Sequence, residues 1–254
     1  MKNKNIIITG ASQGLGYDLA KDFAKDGAKL FLIARSKKNL NILKNNCKYK
    51  DKHKIFSYDL NDLNNIMRVV NEAKIFFKNK IDAVVHAAGG GLGLKNILIN
   101  NVDLLKVINL NILSSIEFNR LILPIMNKKK GGNIVHIGSI ASSEAVGSLS
   151  YNISKSILHA YVRTIGNEFA KKKIIISGVA LGGFISKNNA MQRLKNNNPT
   201  AYKKFINMRL PRKIIGNTNE IIPLIKFLCS KNAGMMCGCV VPADGGEGKS
   251  YNIY

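Results

Sequence analysis

Short runs of apolar residues alternate along this chain with longer stretches in which apolar residues recur at helical spacing. Seven of these runs have the length and the β-branched content of a buried strand. The seven runs are Asn5–Thr9, Lys29–Ala34, Lys54–Ser57, Ile81–His86, Asn133–Gly138, Ile174–Ala180 and Cys239–Pro242. Alternating strands and helices are typical of a parallel sheet with right-handed crossovers. The pattern therefore predicts an α/β fold, a three-layer α/β/α sandwich with a seven-stranded parallel sheet.

One segment, residues 183–212, interrupts this alternation. It is polar, and it contains the sequence Asn196-Asn197-Asn198-Pro199. An insertion that follows the carboxyl end of a strand tends to cover the crevice where ligands bind. No linker rich in proline, serine or glycine divides the chain. We therefore expect a single domain over residues 1–254, with a lid at about 183–212.

The net charge of +24, from 39 basic and 15 acidic residues, raises the possibility of a nucleic-acid partner. The lysines are spread along the whole chain rather than clustered. That distribution is typical of a solvated surface, so we expect no nucleic-acid partner. The charge would still attract anionic substrates and cofactors.

Two further features limit the class of protein. The apolar run Ile6–Ile8 is too short for a secretory signal, and no stretch reaches the roughly 18 apolar residues of a membrane span. We therefore expect a cytoplasmic protein with no membrane partner. Of the four cysteines, Cys237 and Cys239 lie two apart without a second cysteine or histidine pair. We expect buried thiols and no metal.

A glycine-rich turn follows the first predicted strand directly. It reads Thr9-Gly10-Ala11-Ser12-Gln13-Gly14-Leu15-Gly16 and opens a helix that runs through Ala24. Gly10 permits a tight turn, whereas Gly14 and Gly16 allow a diphosphate and the sheet to approach the backbone closely. The first turn of the helix presents unpaired N–H groups and a favourable dipole to an anion. The turn therefore predicts a dinucleotide-binding site.

The TGxxxGxG spacing of this turn resembles the short-chain dehydrogenase/reductase family, and the resemblance spans the whole chain. It implies a Rossmann fold and an NAD(P)-dependent oxidoreductase. NAD-specific relatives carry a carboxylate at the end of the second strand, where this chain has Arg35 and Ser36. Arg35, helped by Ser12, can form charge-assisted hydrogen bonds with a 2′-phosphate. We therefore expect NADP(H) as the cofactor.

The resemblance also implies the remaining cofactor contacts. Asp59, with the adjacent backbone of Leu60, matches the family's contact to the adenine ring; capping of a helix over 61–71 is the alternative role for Asp59. The predicted cofactor-binding residues are Gly10, Ser12, Gln13, Gly14, Leu15, Gly16, Arg35, Ser36, Asp59, Leu60, Ala88, Gly89, Tyr151, Lys155, Gly182, Phe184 and Ile185.

Tyr151 and Lys155 are the principal catalytic candidates. They lie four positions apart at the start of a predicted helix, so their side chains share one face. A nearby ammonium is expected to lower the pKa of the phenol. Ser139 ends a predicted strand twelve positions before Tyr151, one fewer than is usual in the family, and Ser142 and Ser143 are the alternatives.

The resemblance implies a fourth catalytic residue, an asparagine that holds a water in a proton relay. We assign it to Asn109, with Asn111 as the competing candidate. In the implied mechanism Tyr151 donates a proton to the substrate oxygen, Ser139 stabilises charge on that oxygen, and Lys155 also holds the nicotinamide ribose.

Two further positions depart from the family pattern. The usual Asn-Asn-Ala-Gly reads His86-Ala87-Ala88-Gly89, and the usual Pro-Gly becomes Leu181-Gly182-Gly183. His86 either contacts the cofactor or packs at the strand end. These departures leave an inactive, cofactor-binding scaffold or sensor as an alternative function.

The substrate is less well defined than the reaction. The stretches Leu181–Phe184, Arg209–Arg212 and Val241–Gly248 resemble reductases of bacterial surface-sugar and flagellin-glycan pathways and, less specifically, 3-oxoacyl-carrier-protein reductases. Basic residues in the expected lid favour an anionic carbonyl or alcohol substrate. Apolar faces on the stretches Val102–Met126 and Tyr151–Ala170 imply, by the same resemblance, a homodimer or homotetramer, to which Cys237–Tyr254 would contribute.

Overall fold

The computed structural model describes residues 1–126 and 131–250. Its main sheet has seven strands in the order β3-β2-β1-β4-β5-β6-β9, and every neighbouring pair is parallel. These strands are β1 (Asn5–Thr9), β2 (Lys29–Ala34), β3 (Lys54–Ser57), β4 (Ala83–His86), β5 (Gly132–Ser139), β6 (Ile174–Leu181) and β9 (Val240–Ala243). The predicted sheet is confirmed, with shifts of one or two residues at the ends of four strands.

Helices cover both faces of this sheet. They are α1 (Gly14–Lys25), α2 (Lys37–Asn46), α3 (Ile66–Phe76), α4 (Asn101–Ile108), α5 (Ser114–Ile122), α6 (Leu149–Ala170) and α9 (Thr218–Leu228). A π-helical turn, Asn109–Leu113, joins α4 to α5, and 3-10 turns cover Lys50–Lys52, Ile140–Ser142 and Lys231–Met236. The segment 183–212 holds the short strand β7 (Phe184–Ile185) and the helices α7 (Ala190–Asn197) and α8 (Pro199–Arg209). Strand β7 pairs with β8 (Gly216–Asn217).

The five inner strands are mostly buried because successive side chains point to opposite faces, and both faces are covered by helices. The edge strands β3 and β9 are partly exposed. In β1, for example, Ile6 and Ile8 belong to one hydrophobic cluster, whereas Ile7, which points to the opposite face of the sheet, belongs to a second cluster. The strand order reverses between β1 and β4, so the crevice for a ligand is expected outside the carboxyl ends of these two strands.

The third crossover helix begins later than the sequence indicates. We expected it over 61–71, but α3 begins at Ile66. The side chain of Asp59 accepts a hydrogen bond from Asn61 N at 3.0 Å, and that of Asp62 accepts one from Asn64 N at 3.1 Å. These local bonds hold the backbone in turns that compete with a helix. Asp59 therefore caps a turn and not a helix.

The expected dimer faces carry exposed apolar side chains, among them Val102 and Leu105 of α4 and Ile157 of α6. An oligomer built on them stays a prediction. Of the C-terminal stretch assigned to a tetramer, residues 251–254 lie outside the described residues. Within the described ranges, no helix is long and apolar enough to cross a membrane.

Candidate active site

A cleft of about 520 Å³ lies at the carboxyl edge of the sheet, between the glycine-rich turn and the segment 183–212. Most of the predicted site residues line it: Gly10, Ser12, Gln13, Gly14, Leu15, Arg35, Asp59, Leu60, Ala88, Gly89, Ser139, Tyr151, Lys155, Gly182 and Phe184. The structure therefore gathers into one cleft residues that the sequence separates by up to 174 positions.

Four predicted residues lie outside the lining that the described residues form: Gly16, Ser36, Asn109 and Ile185. Gly16 packs beneath the turn, and the Ser36 side chain caps α2 by accepting a hydrogen bond from Asn39 N at 3.2 Å. Ile185 pairs with Asn217 between β7 and β8. These three residues belong to the elements that border the cleft, but they do not line it.

The turn after β1 has the geometry that a diphosphate needs. Gly10 has a φ of +67°, and a Cβ there would lie 2.6 Å from the backbone nitrogen of Ala88. At Gly16 a Cβ would lie 2.5 Å from the carbonyl oxygen of Gly10. Only glycine fits at these two positions. Gly14, by contrast, faces open space, with the Asn189 side chain 4.0 Å from where its Cβ would be.

Segment 183–212 reaches this turn through its backbone. The N–H of Gly14 donates a hydrogen bond to the carbonyl oxygen of Lys187 at 2.9 Å. Nearby, the side chain of Asp18 accepts hydrogen bonds from Ser186 Oγ at 2.7 Å and from Thr218 Oγ1 at 2.8 Å. The start of α1 and the start of this segment are therefore joined.

Arg35 lies at the carboxyl end of β2, exposed at the rim of the cleft. Its carbonyl oxygen accepts a hydrogen bond from Ser57 Oγ at 2.7 Å, which ties the end of β2 to the end of β3. Ser12 and Asp59 line the same part of the cleft. A free guanidinium at this position suits a phosphate on the adenosine ribose.

Three catalytic candidates meet deeper in the cleft. Tyr151 and Lys155 lie on the first two turns of α6, and Ser139 ends β5. The Ser139 side chain hydrogen-bonds Tyr151, and Lys155 Nζ lies 5.6 Å from the centre of the Tyr151 ring. The hydroxyl of Ser143 donates instead to the Ile140 carbonyl, so the geometry favours Ser139 over that alternative.

The pKa of Tyr151 shifts in the direction opposite to our expectation. Burial raises the pKa of this phenol, and the hydrogen bond with Ser139 lowers it only in part. Lys155 is 3% exposed, and burial lowers the pKa of its ammonium to about 8. Its Nζ donates a hydrogen bond to the Ile137 carbonyl at 2.8 Å. The protein alone therefore keeps Tyr151 protonated and places the titration of Lys155 close to neutral pH.

The assignment of Asn109 is not supported by the geometry, because the structure brings Asn111 to the catalytic residues instead. The side chain of Asn111 is buried against Gly89; a Cβ at Gly89 would lie 2.8 Å from Asn111 Oδ1 and 3.4 Å from Lys155 Nζ. Both asparagines belong to the π-helical turn, whose wider spacing shifts the helical phase and turns Asn111 inward.

A buried polar network behind the site was not expected from the sequence. His86 is buried, its Nε2 donates to Asn119 Oδ1 at 2.9 Å, and its ring stacks on that of His136 with 4.6 Å between centroids. Asn119 Nδ2 also donates to the Tyr161 hydroxyl at 3.0 Å. The structure thus places His86 in packing against α5, behind the cleft.

Glu247 is a second residue that the sequence did not single out. Its carboxylate lines the cleft, accepts a hydrogen bond from Gly183 N, and lies 3.0 Å from Nη2 of Arg209. No local pattern marks it, because its partners lie 64 and 38 residues earlier in the chain.

Comparisons with known proteins agree with this geometry. The short chain dehydrogenase family matches residues 4–197. The 3-oxoacyl-acyl-carrier-protein reductase of Buchnera aphidicola subsp. Schizaphis graminum is 30% identical over 250 residues, which cover 97% of this chain and 98% of that protein. The 7alpha-hydroxysteroid dehydrogenase of Paraclostridium sordellii is 29% identical over 261 residues, which cover 100% of this chain and 93% of that protein.

Solved structures show the same fold. Levodione reductase superposes with a TM-score of 0.89 at 24% identity, covering 99% of this chain and 100% of that one. L-Sorbose reductase from Gluconobacter frateurii, solved with NADPH and L-sorbose, superposes with a TM-score of 0.87 at 24% identity, covering 99% and 98%. The likeness supports the fold, including its parallel seven-stranded sheet.

Proposed function

Because this chain belongs to the short-chain dehydrogenase family and is an oxidoreductase that uses a nicotinamide cofactor, we propose that it transfers hydride between NADP(H) and a hydroxylated carbonyl or alcohol substrate. The observation that carries the proposal is the convergence of Ser139, Tyr151 and Lys155 on the cleft that starts at the glycine-rich turn.

The residues present fit the cofactor. The N–H groups at the start of α1 that follow Gly14, whose own N–H donates to the Lys187 carbonyl, would hold its diphosphate. Gly10 and Gly16 keep the turn tight, because neither position has room for a side chain. Arg35 and Ser12 would hold the 2′-phosphate, and the described residues at the end of β2 include no carboxylate to repel it. This charge pattern supports NADP(H) over NAD(H).

The nicotinamide supplies the hydride when it is bound. Tyr151, which burial keeps protonated, would donate its proton to the substrate oxygen. Ser139, already hydrogen-bonded to Tyr151, would donate to the same oxygen. The ammonium of Lys155 would stabilise the phenolate that Tyr151 leaves behind. Asn111, beside Lys155, takes the place that we gave to Asn109.

Two substrate classes are supported by different observations. The polar side chains on the lid side of the cleft, from Asn188, Asn189, Arg193, Arg209 and Glu247, favour a sugar or nucleotide-linked sugar. The 30% identity to a 3-oxoacyl-acyl-carrier-protein reductase over nearly the whole chain favours a 3-oxoacyl thioester as the second candidate. An inactive scaffold is the least favoured alternative, since Ser139, Tyr151 and Lys155 are all in place.

The test is a spectrophotometric screen of NADPH oxidation with ketoses, nucleotide-linked keto-sugars and 3-oxoacyl thioesters. Tyr151→Phe should bind NADPH as tightly as the wild type, measured by cofactor fluorescence, and should lower the turnover of any substrate found by about 10²- to 10⁴-fold. Failure of the wild type to bind NADPH, or full activity of Tyr151→Phe, would overturn the proposal.

A further inference from the structure

Glu247 is buried, and a buried carboxylate is unfavourable unless charged or hydrogen-bonding partners stabilise it. It follows β9 in the C-terminal loop, is 4% exposed, and lines the cleft on the side of the segment 183–212. Burial raises the pKa of this carboxyl, and the neighbouring Asp244 and Glu144 act in the same direction. Its hydrogen bond with Gly183 N and the charge of Arg209 oppose that shift. The carboxylate therefore depends on these two partners.

The backbone makes room for this carboxylate. A Cβ at Gly182 would lie 2.8 Å from Glu247 Oε2, and one at Gly183 would lie 3.3 Å from the same oxygen and 2.7 Å from the Phe205 ring. The turn after β6 thus has glycine at both positions that contact the carboxylate. Leu181 and Gly182 stand where the family has Pro-Gly, and the additional glycine at position 183 leaves space for the charged group.

The ion pair keeps unused hydrogen-bonding capacity toward the cleft. Arg209 ends α8, is 34% exposed, and lines the cleft beside Glu247. A carboxylate offers about four acceptor sites and a guanidinium five donors. Among the described residues, the polar contacts found for the Glu247 carboxylate are one with Gly183 N and one with Arg209 Nη2. The Glu247 carboxylate, as an acceptor, and the Arg209 guanidinium, as a donor, therefore lie side by side in the same wall of the cleft.

A second arginine–glutamate ion pair, Arg212 with Glu220, lies at the surface and not in the cleft. Arg212 Nη1 and Glu220 Oε2 lie 2.6 Å apart, and both side chains are more than one third exposed. Neither residue belongs to the cleft lining that the described residues form. This second pair is a surface contact, and it serves as a matched control for the first.

We propose that Glu247 and Arg209 form a substrate-binding pair that selects a carbonyl compound carrying a neighbouring hydroxyl group, an inference that rests on the proposed function. The hydroxyl donates to the Glu247 carboxylate and accepts from the Arg209 guanidinium. A hydroxyl does both at once, whereas a methyl group at this place would cover the remaining acceptor and donor sites of the pair without bonding to them. The selected substrate is polyhydroxylated and uncharged at this position, because Glu247 repels a phosphate or a carboxylate.

The test compares two ketones of nearly equal shape, hydroxyacetone and butanone, which differ by a hydroxyl in place of a methyl group. Wild-type protein with NADPH should show the higher kcat/KM for hydroxyacetone. Glu247→Gln keeps an acceptor for Gly183 N and should lower that preference by about tenfold or more, through loss of a charged hydrogen bond. In the same variant the kcat/KM for butanone should fall by less than that for hydroxyacetone, whereas both values should stay within about twofold in Arg212→Met.

An equal fall for both ketones in Glu247→Gln would show that the residue only supports the fold, and the inference would be wrong. If other ketones or thioesters are reduced without any preference for a hydroxyl, the proposed function holds and the inference fails.

A binding measurement covers the case in which neither ketone is turned over. A ketohexose should raise the melting temperature of the NADPH complex of the wild type, and Glu247→Gln should lose that shift while it keeps the shift caused by NADPH. No shift with the ketohexose in the wild type would also overturn the inference, whereas no shift with NADPH would refute the proposed function.

Discussion

Asn111 and Gly90 are joined by two hydrogen bonds: Gly90 N donates to Asn111 Oδ1 at 3.0 Å, and Asn111 Nδ2 donates to the Gly90 carbonyl at 2.9 Å. Asn111 Nδ2 also donates to the Val107 carbonyl at 2.8 Å. The loop after β4, which lines the cleft, is thereby fixed to the π-helical turn. The Asn111 side chain therefore holds the loop after β4 in place next to Lys155.

We predict that Asn111→Ala lowers both stability and activity, because it removes the partners of the half-buried Gly90 backbone groups and of the buried Val107 carbonyl. The expected loss in the free energy of unfolding is about 1–3 kcal/mol, with a fall of at least about tenfold in kcat. Asn109→Ala, in the same turn but only half-buried, should change the free energy of unfolding by no more than about 0.5 kcal/mol. Urea denaturation and NADPH oxidation measure the two effects. A larger loss of activity in Asn109→Ala than in Asn111→Ala would instead identify Asn109 as the fourth catalytic residue.

Arg35 provides the prediction on cofactor preference. Arg35→Ala should weaken NADPH binding by about tenfold to 100-fold, the equivalent of losing a charge-assisted hydrogen bond of about 1.5–3 kcal/mol. NADH binding should change by less than about twofold, because NADH has no 2′-phosphate. Lys231→Ala removes the same charge at an exposed position away from the cleft and should affect neither cofactor. Equal weakening of both cofactors by Arg35→Ala would mean that Arg35 does not recognise the 2′-phosphate.

Gly10 is a position where the turn does not tolerate a side chain. Its φ is +67°, and a Cβ would lie 2.6 Å from the backbone of Ala88. We expect Gly10→Ala to cost at least about 1–3 kcal/mol in the free energy of unfolding and to abolish NADPH binding, since the end of β4 must shift. At Gly234 a Cβ would meet nothing within 4 Å. Gly234→Ala should therefore leave both quantities unchanged within error, and a similar loss at both positions would contradict the role of Gly10.

The sequence predicted the sheet, the glycine-rich turn and the group of Ser139, Tyr151 and Lys155 because each depends on a local pattern. Strand length, a turn before a helix and a spacing of four residues are all visible along the chain. The choice between Asn109 and Asn111 could not be made from the sequence, because both lie in a π-helical turn whose spacing decides which side chain faces Lys155.

Other features depend on contacts that no local pattern reveals. Glu247 and Gly183 are 64 residues apart, and Asn119 meets His86 and His136 across 33 and 17 residues. Only the register of β4 with β5, which sets His86 beside His136, brings the two imidazoles together. The direction of the Tyr151 pKa shift was wrong for a similar reason: the depth of burial of a side chain is a property of the folded chain.

The buried histidines predict how stability depends on pH. Burial lowers the pKa of His86 to about 4, although its hydrogen bond with Asn119 opposes the shift. In the unfolded chain the pKa is about 6.5. Between these two values the unfolded state binds more protons than the folded state, so the free energy of unfolding falls as the pH falls through this window and is fully retained above about pH 6.5. His136 and His159 are shifted in the same direction by burial, and each adds to the effect.

Acidification from pH 7.5 to pH 5 should therefore destabilise the wild type by about 2 kcal/mol for His86 and by a similar amount for His159, and His136 acts in the same direction. His86→Asn should be less stable than the wild type at pH 7.5, because the smaller side chain leaves a cavity beside Phe118. Its difference in stability between the two pH values should nevertheless be smaller than that of the wild type. Urea denaturation at both pH values measures the two differences. An unchanged difference in the variant would mean that His86 titrates alike in the folded and unfolded chains, and that its burial against α5 is not maintained in solution.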